Sequence, residues 1–202
     1  MAARRLIGLT GGIAAGKSET LKAFERQGAA TISTDAVVHE LQRSPEVVSR
    51  MVERWGEEVA PGGELDRARV AEIVFGDPDE LRWLEGEVHP RVGAQIAKWA
   101  GDLPDDATVA VIEVPLLFES GMDGMFDAVV AVVADDALRR EREEGRDLAA
   151  LEGREGRQLS QDEKAGRATY VIVNDGSLQD LEARVAEIVS ELRSAEEPAA
   201  DE

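Results

Sequence analysis

The chain predicts an α/β fold of the doubly wound kind, a parallel five-stranded sheet with helices between its strands. Three observations carry that expectation. Apolar and β-branched runs recur at 6–10, 29–33, 108–114, 128–133 and 170–173, and each leads into sequence of helical period. The first run passes straight into a glycine-rich turn that ends in Gly16-Lys17-Ser18. Between the second and third runs, residues 36–104 keep a helical pattern with no clear strand.

Composition sets the outer bounds. A chain of 202 residues with 43% hydrophobic content suits one α/β core with an insertion. Without cysteine there is neither a disulfide framework nor a thiolate metal site, and two histidines, His39 and His89, are too few for a histidine-rich zinc site. No apolar run approaches membrane-spanning length and the N-terminus lacks a leader pattern, so a cytoplasmic protein without a membrane partner is expected. The formal net charge of −19 opposes nucleic-acid binding, and any anion site must be locally basic.

From Gly11 to Ser18 the sequence satisfies G-x-x-x-x-G-K-[ST], the phosphate-cradling loop of P-loop NTPases. Glycines let backbone N–H groups turn around an anion without Cβ atoms in the way. Gly11, Gly12, Ile13, Ala14, Ala15 and Gly16 therefore form the expected ATP cradle, with Lys17, Ser18 and Glu19 opening the next helix. Lys17 would reach the β- and γ-phosphates and Ser18 would give its hydroxyl to Mg²⁺. The positive end of that helix adds to the same spot. Leu21 and Phe24 share its buried face, and Gly28 sits where it should stop.

Asp35 lies just past the second strand, on the edge where open α/β sheets bind ligands, and also fits an N-cap for a helix over 36–41. In the helical block, Val47, Val48, Met51, Val52 and Trp55 make one apolar face. Asp77-Pro78 is a helix start, and Pro90 is expected to kink that helix or begin a new one. His89, taken alone, reads as structural.

Glu113 closes the third strand on the same ligand edge, open between a site near Mg²⁺ and a capping or salt-bridging acid. After the fourth strand come Arg139, Arg140, Arg142, Arg146, Arg154 and Arg157, interleaved with acids. Such a run fits a solvated helix face, but arginine throughout suits bidentate phosphate contacts on a lid. Ser160 to Glu163 fits a capping box, and Leu181, Val185, Ile188, Val189 and Leu192 form the stripe of a final helix. The organisation expected is a core of 1–35, 105–135 and 165–193, a substrate-binding insertion of 36–104, a lid of 136–164 and a disordered acidic tail of 194–202.

A lysine-bearing phosphate loop, a carboxylate opposite it and an arginine-rich lid make a phosphoryl-transfer site, with Asp35 able to orient a hydroxyl and take its proton. A GTP-binding switch would need an N-K-x-D motif, and the lone asparagine, Asn174, is followed by Asp175. Another small kinase, acting on a nucleoside monophosphate or a shikimate-like alcohol, is the nearer rival.

The chain resembles the dephospho-coenzyme A kinases from about Leu6 to Leu192. The resemblance rests on I-G-L-T-G-G-I-x-x-G-K-S, the Asp35 segment, Phe75…Leu84…His89-Pro90, Val114-Pro115-Leu116-Leu117-Phe118-Glu119, the lid residues Arg142, Arg146, Arg154 and Gln158, and the ending Asn174-x-Gly176-Ser177. It implies ATP and Mg²⁺ as cofactors and the ribose 3′-hydroxyl of dephospho-CoA as acceptor. It implies Asp35 as base, with Lys17 and Arg142 beside it in catalysis, and Thr10, Asp35, His89, Pro90, Glu113 and Leu116 on the acceptor side. A monomer or weak homo-oligomer is expected. Ala14 stands where the family usually has glycine, and the stretch from Asp147 to Gln158 is a few residues short.

Overall fold

The computed structural model describes residues 4–143 and 158–194. The chain forms two compact units, Met1–Ser33 with Leu103–Glu202, and Thr34–Asp102.

The first unit is built on five parallel strands: β1 (Arg5–Gly11), β2 (Ala30–Ser33), β3 (Val109–Glu113), β4 (Ala128–Val133) and β5 (Tyr170–Val173). Their order across the sheet is β2-β3-β1-β4-β5, which puts β1 at the centre. Strands buried on both faces need near-continuous apolar sequence, and β3 and β4 have it. On one face Ile7, Leu9, Val111, Val130 and Ile172 pack into a single apolar cluster with Phe24 of α1 (Lys17–Arg26) and Val185 and Ile188 of a C-terminal helix, Leu178–Ser194. On the other, Gly8 faces Leu117 and Phe126: a Cβ there would stand 2.5 Å from Leu117 Cδ1.

Register aligns the strand ends. Glu113 is level with Leu9 of β1 and Ser33 of β2, and Gly11 with Val132 of β4. The Val114 N–H donates to the Leu9 carbonyl at 2.9 Å, carrying the β1–β3 pairing one residue further. The expected doubly wound parallel sheet is therefore present.

The second unit is helical: α2 (Thr34–Leu41), α3 (Pro45–Trp55), α4 (Arg67–Gly76) and α5 (Pro78–Asp102), with short 3₁₀ turns at Glu57–Val59 and Pro61–Gly63. The caps are local. Ser44 Oγ accepts the Val47 N–H, Asp66 accepts from Ala68 and Arg69, and Asp77 accepts from Asp79 beside the proline expected at the start of α5. Trp55 meets Trp83 edge-on, with ring centroids 5.1 Å apart.

One expectation needs correction here and another is narrowed. α2 begins at Thr34 without an intervening turn, so Asp35 lies in its first turn and is not its cap. A first-turn carboxylate still faces the positive end of the helix dipole. Of the two alternatives for Pro90, a kink or a new helix, the second is excluded, because the 25-residue α5 runs through it. The ring of a helical proline crowds the carbonyl four residues back, here that of Gly86, and takes away the N–H that would have bonded it. Arg91 covers the neighbouring turn, donating to the Glu87 carbonyl at 2.6 Å and to its carboxylate at 3.2 Å.

After β4 the first unit continues with α6 (Asp136–Glu143) and α7 (Gln161–Arg167), and α8 is the C-terminal helix Leu178–Ser194. The capping box expected at Ser160 is formed in full with Glu163. Among the described residues no helix is long and apolar enough to cross a membrane.

Candidate active site

The phosphate loop is shaped by three left-handed or strongly bent positions. Gly11 (φ 154°) lets β1 pass close against the Val132 carbonyl, which a Cβ would strike. Gly16 (φ 101°) packs under the Asn174 amide in the same way. Between them Ala14 has φ 54°, the one non-glycine residue of positive φ among the described residues. The residue is alanine, but its backbone holds a conformation that favours glycine.

The carbonyls of the loop are tied down one by one. Lys17 Nζ donates to Gly11 O at 3.1 Å and Gly12 O at 2.8 Å. Arg139 Nε donates to Ile13 O at 2.8 Å, and Asn174 Nδ2 to Ala15 O at 2.8 Å. A trans peptide points its N–H opposite to its C=O. Fixing the Ile13 and Ala15 carbonyls outward therefore turns the Ala14 and Gly16 N–H groups away from Arg139 and Asn174. α1 begins at once, with the Glu19 and Thr20 N–H groups donating to Gly16 O and Ser18 exposed in its first turn. Glu19 pairs with Arg26 at 3.1 Å and Lys22 at 3.6 Å on the outer surface.

A second layer backs the loop. Arg142 on α6 donates to the Asn174 carbonyl at 3.1 Å, and its buried Nη1 has no hydrogen-bond partner among the described residues. Gln161 brackets the Ala134 peptide, accepting its N–H and donating to its carbonyl, both at 2.9 Å. The same Gln161 side chain sits where a Cβ on Gly12 would be, about 3.0 Å away. Arg146 and Arg154 lie outside the described residues.

Of the remaining candidates in this unit, Glu113 is 5% exposed at the end of β3. Thr10 is fully buried, and its hydroxyl donates to the Pro115 carbonyl at 3.1 Å. Leu116 is half-buried, and its carbonyl accepts from the Ser120 hydroxyl at 2.7 Å. In the helical unit Asp35 is exposed on α2, and His89 and Pro90 are exposed on α5.

Three contributors were not singled out by sequence reasoning. Asn174 was weighed against a guanine-binding motif and counted in the ending Asn174-x-Gly176-Ser177, with no role given to it at the loop, yet it supports the loop from the far end of β5. Arg139 was one arginine in a run, although its guanidinium reaches the Ile13 carbonyl. Lys164 on α7 is fully buried, bonded to Pro115 O at 2.7 Å and paired with Glu119 at 3.0 Å. Burial pushes its ammonium below the usual lysine range, and Glu119 opposes that shift by hydrogen bond and charge. For Asn174 the available signal was its place just past an apolar strand on the ligand edge. For Lys164 no local signal exists, because Glu163-Lys164 in a short helix reads as a solvated pair.

Comparison with known proteins agrees with this geometry. A family model described as dephospho-CoA kinase matches residues 5–180. A dephospho-CoA kinase of Symbiobacterium thermophilum is 42% identical over 90% of this chain and 78% of its own. That of Moorella thermoacetica is 39% identical over 93% of this chain and 92% of its own. A Thermus thermophilus protein of known crystal structure superposes with a TM-score of 0.80 at 33% identity, covering 94% of this chain and 98% of that one. A dephospho-CoA kinase from Campylobacter jejuni shares the fold, with a TM-score of 0.64 at 22% identity over 94% of this chain and 97% of its own. With a family model spanning most of the chain, and relatives of this identity over nine-tenths of it, the protein belongs to the dephospho-CoA kinase family.

Proposed function

We propose that the protein transfers the γ-phosphoryl group of ATP to the ribose 3′-hydroxyl of dephospho-CoA, giving coenzyme A and ADP, the last step of coenzyme A synthesis. The observation that carries the reading is the phosphate loop itself. Its carbonyls are bonded away by Arg139 and Asn174, and Lys17 is held within the turn. Such a loop binds a polyphosphate through its amides and lysine. Membership of the family supplies the acceptor.

The roles follow from the chemistry. Transfer of a phosphoryl group is mostly positioning and charge neutralisation. Lys17 leaves its carbonyl partners for the β- and γ-phosphate oxygens. Arg142 holds one guanidinium edge on Asn174 and keeps Nη1 for a phosphate. Asp35 orients the acceptor hydroxyl and takes its proton. The helical unit, with His89 and Pro90 on α5, holds the remainder of dephospho-CoA, and Leu116 and Thr10 border the acceptor.

Mg²⁺ fits the donor set. Ser18 offers a hydroxyl and Glu113 a carboxylate, and no cluster of three acidic, histidine or cysteine ligands exists among the described residues. That suits an ion which keeps several waters and takes phosphate oxygens in place of a protein cage. When bound it neutralises phosphate charge. The reading includes a cytoplasmic reaction, a small-molecule partner and not a nucleic acid or membrane, and a monomer or weak homo-oligomer.

The direct test is ADP release from MgATP with and without dephospho-CoA, with coenzyme A identified by mass. Release that requires dephospho-CoA is expected. Release indifferent to it overturns the reading.

A further inference from the structure

One backbone carbonyl beside the phosphate loop collects two buried donors. Pro115 O accepts from Thr10 Oγ1 at 3.1 Å and from Lys164 Nζ at 2.7 Å. The Lys164 ammonium is also 3.0 Å from Glu119 Oε1, which accepts the Leu159 N–H at 2.8 Å. Lys164 has no exposed surface. A buried ion pair is a poor means of stabilising a fold, because well-packed apolar residues in its place are often neutral or stabilising. A lysine here therefore calls for a reason other than stability.

Connectivity supplies one. Thr10 is the residue before Gly11, so its place fixes where β1 enters the phosphate loop. Pro115 and Leu116 form the turn that follows Glu113 on β3. Leu159 lies just ahead of α7, the helix whose Gln161 packs against Gly12. A single ammonium ties all three segments to one point, and its three N–H donors let it donate to a carbonyl and a carboxylate together.

We propose that Lys164 is a positioning residue for phosphoryl transfer, its ammonium holding the Pro115-Leu116 turn against Thr10 at the entrance to the phosphate loop. It touches neither phosphate nor acceptor. It sets the place of groups that do, and an apolar side chain of similar length would keep the packing while releasing the turn. The inference rests on the kinase reading of the same site.

The test compares steady-state kinetics of the wild type, Lys164→Met, Lys164→Met/Glu119→Gln, Lys164→Arg and Thr10→Val. Nucleotide affinity is measured on each without acceptor, and cooperative melting checks the fold. The double variant removes both charges and so leaves no buried carboxylate without its partner. Its kcat should fall at least about 10-fold, since an ångström of misplacement can cost on the order of 100-fold, while nucleotide affinity stays near the wild-type value. Lys164→Arg, which restores the charge, should recover part of kcat. Thr10→Val combined with Lys164→Met should lose less than the product of the separate losses, because both act through one carbonyl. If the methionine forms do not melt cooperatively, Lys164→Gln is read by the same criteria. A lower Tm with kcat per folded molecule unchanged, or losses that simply multiply, overturns the inference. Absence of dephospho-CoA-dependent turnover in the wild type overturns the kinase reading instead.

Discussion

The two units of the molecule are held together by different physics. In the sheet unit, Phe24, Ile7, Leu9, Val130, Ile172 and Ile188 are buried within one continuous apolar cluster. The helical unit buries Val47, Met51, Val70, Val74 and Val88, and over its surface runs a lattice of guanidinium–carboxylate pairs. Arg50 joins Glu87 at 3.1 Å, Arg54 joins Glu80 at 2.7 Å, and Arg91 joins Glu46 at 2.9 Å. Apolar burial is insensitive to salt and pH, whereas exposed ion pairs are screened and titrate. The unit that must hold a phosphate loop within tenths of an ångström has the first kind of support. The unit assigned to the acceptor, which is shorter, adds pairs that cross from α3 to α5, as Arg26–Glu182 crosses from α1 to α8 in the sheet unit.

The largest effect should come from the apolar side of that contrast. Phe24→Ala empties a site with no exposed surface and should cost about 3–5 kcal/mol in denaturant unfolding. In the helical unit Glu80→Gln should cost far less, with its own pH signature. Hydrogen bonds from Arg54 and then Trp55 hold the Glu80 carboxyl below its ordinary value of 4.5. Its stabilisation is therefore complete above that value and is lost as pH falls through the folded-state pKa. The gap between wild type and Glu80→Gln should be present at neutral pH and close in acid. A gap that widens in acid, or one as large as that of Phe24→Ala, would break the comparison.

The contrast also has a catalytic form. Asp35→Asn should lower kcat by about 100-fold or more, the scale of a lost general base. Nucleotide affinity, measured without acceptor, should hardly change, because the loop that binds phosphate belongs to the other unit. Loss of nucleotide affinity would move Asp35 into the nucleotide or metal site and remove the division of labour between the units.

What the sequence disclosed follows the same line. Strands β4 and β5 could be placed to the residue because each is an unbroken run of apolar and β-branched residues, buried within the sheet for β4 and half-buried at its edge for β5. The phosphate loop was legible because its glycines answer a local steric demand. Pro90 stayed ambiguous because the local rule for a helical proline allows both a kinked helix and a fresh start. What Lys164 and Asn174 do at the loop was invisible for a deeper reason. Their roles depend on Pro115 and Ala15, 49 and 159 residues away along the chain, and no periodicity records such a meeting.

The smallest effect tests where backbone strain is stored. Ala14 is held at φ 54°, and an L-residue in the left-handed region costs roughly 1–2 kcal/mol. Glycine would remove that cost while adding about 0.4–1 kcal/mol of unfolded-state entropy. Ala14→Gly should therefore raise stability, by up to about 1.6 kcal/mol. In the helical unit Ala71, inside α4, carries no such strain, and Ala71→Gly should lower stability by about 0.5–1 kcal/mol. One substitution thus takes opposite signs in the two units, which paired denaturant melts can read directly. If Ala14→Gly also destabilises, the loop is not strained at this residue. Alanine would then be held there by its packing, 7% exposed against the surrounding turn, and the sheet unit would carry no conformational cost for its phosphate site.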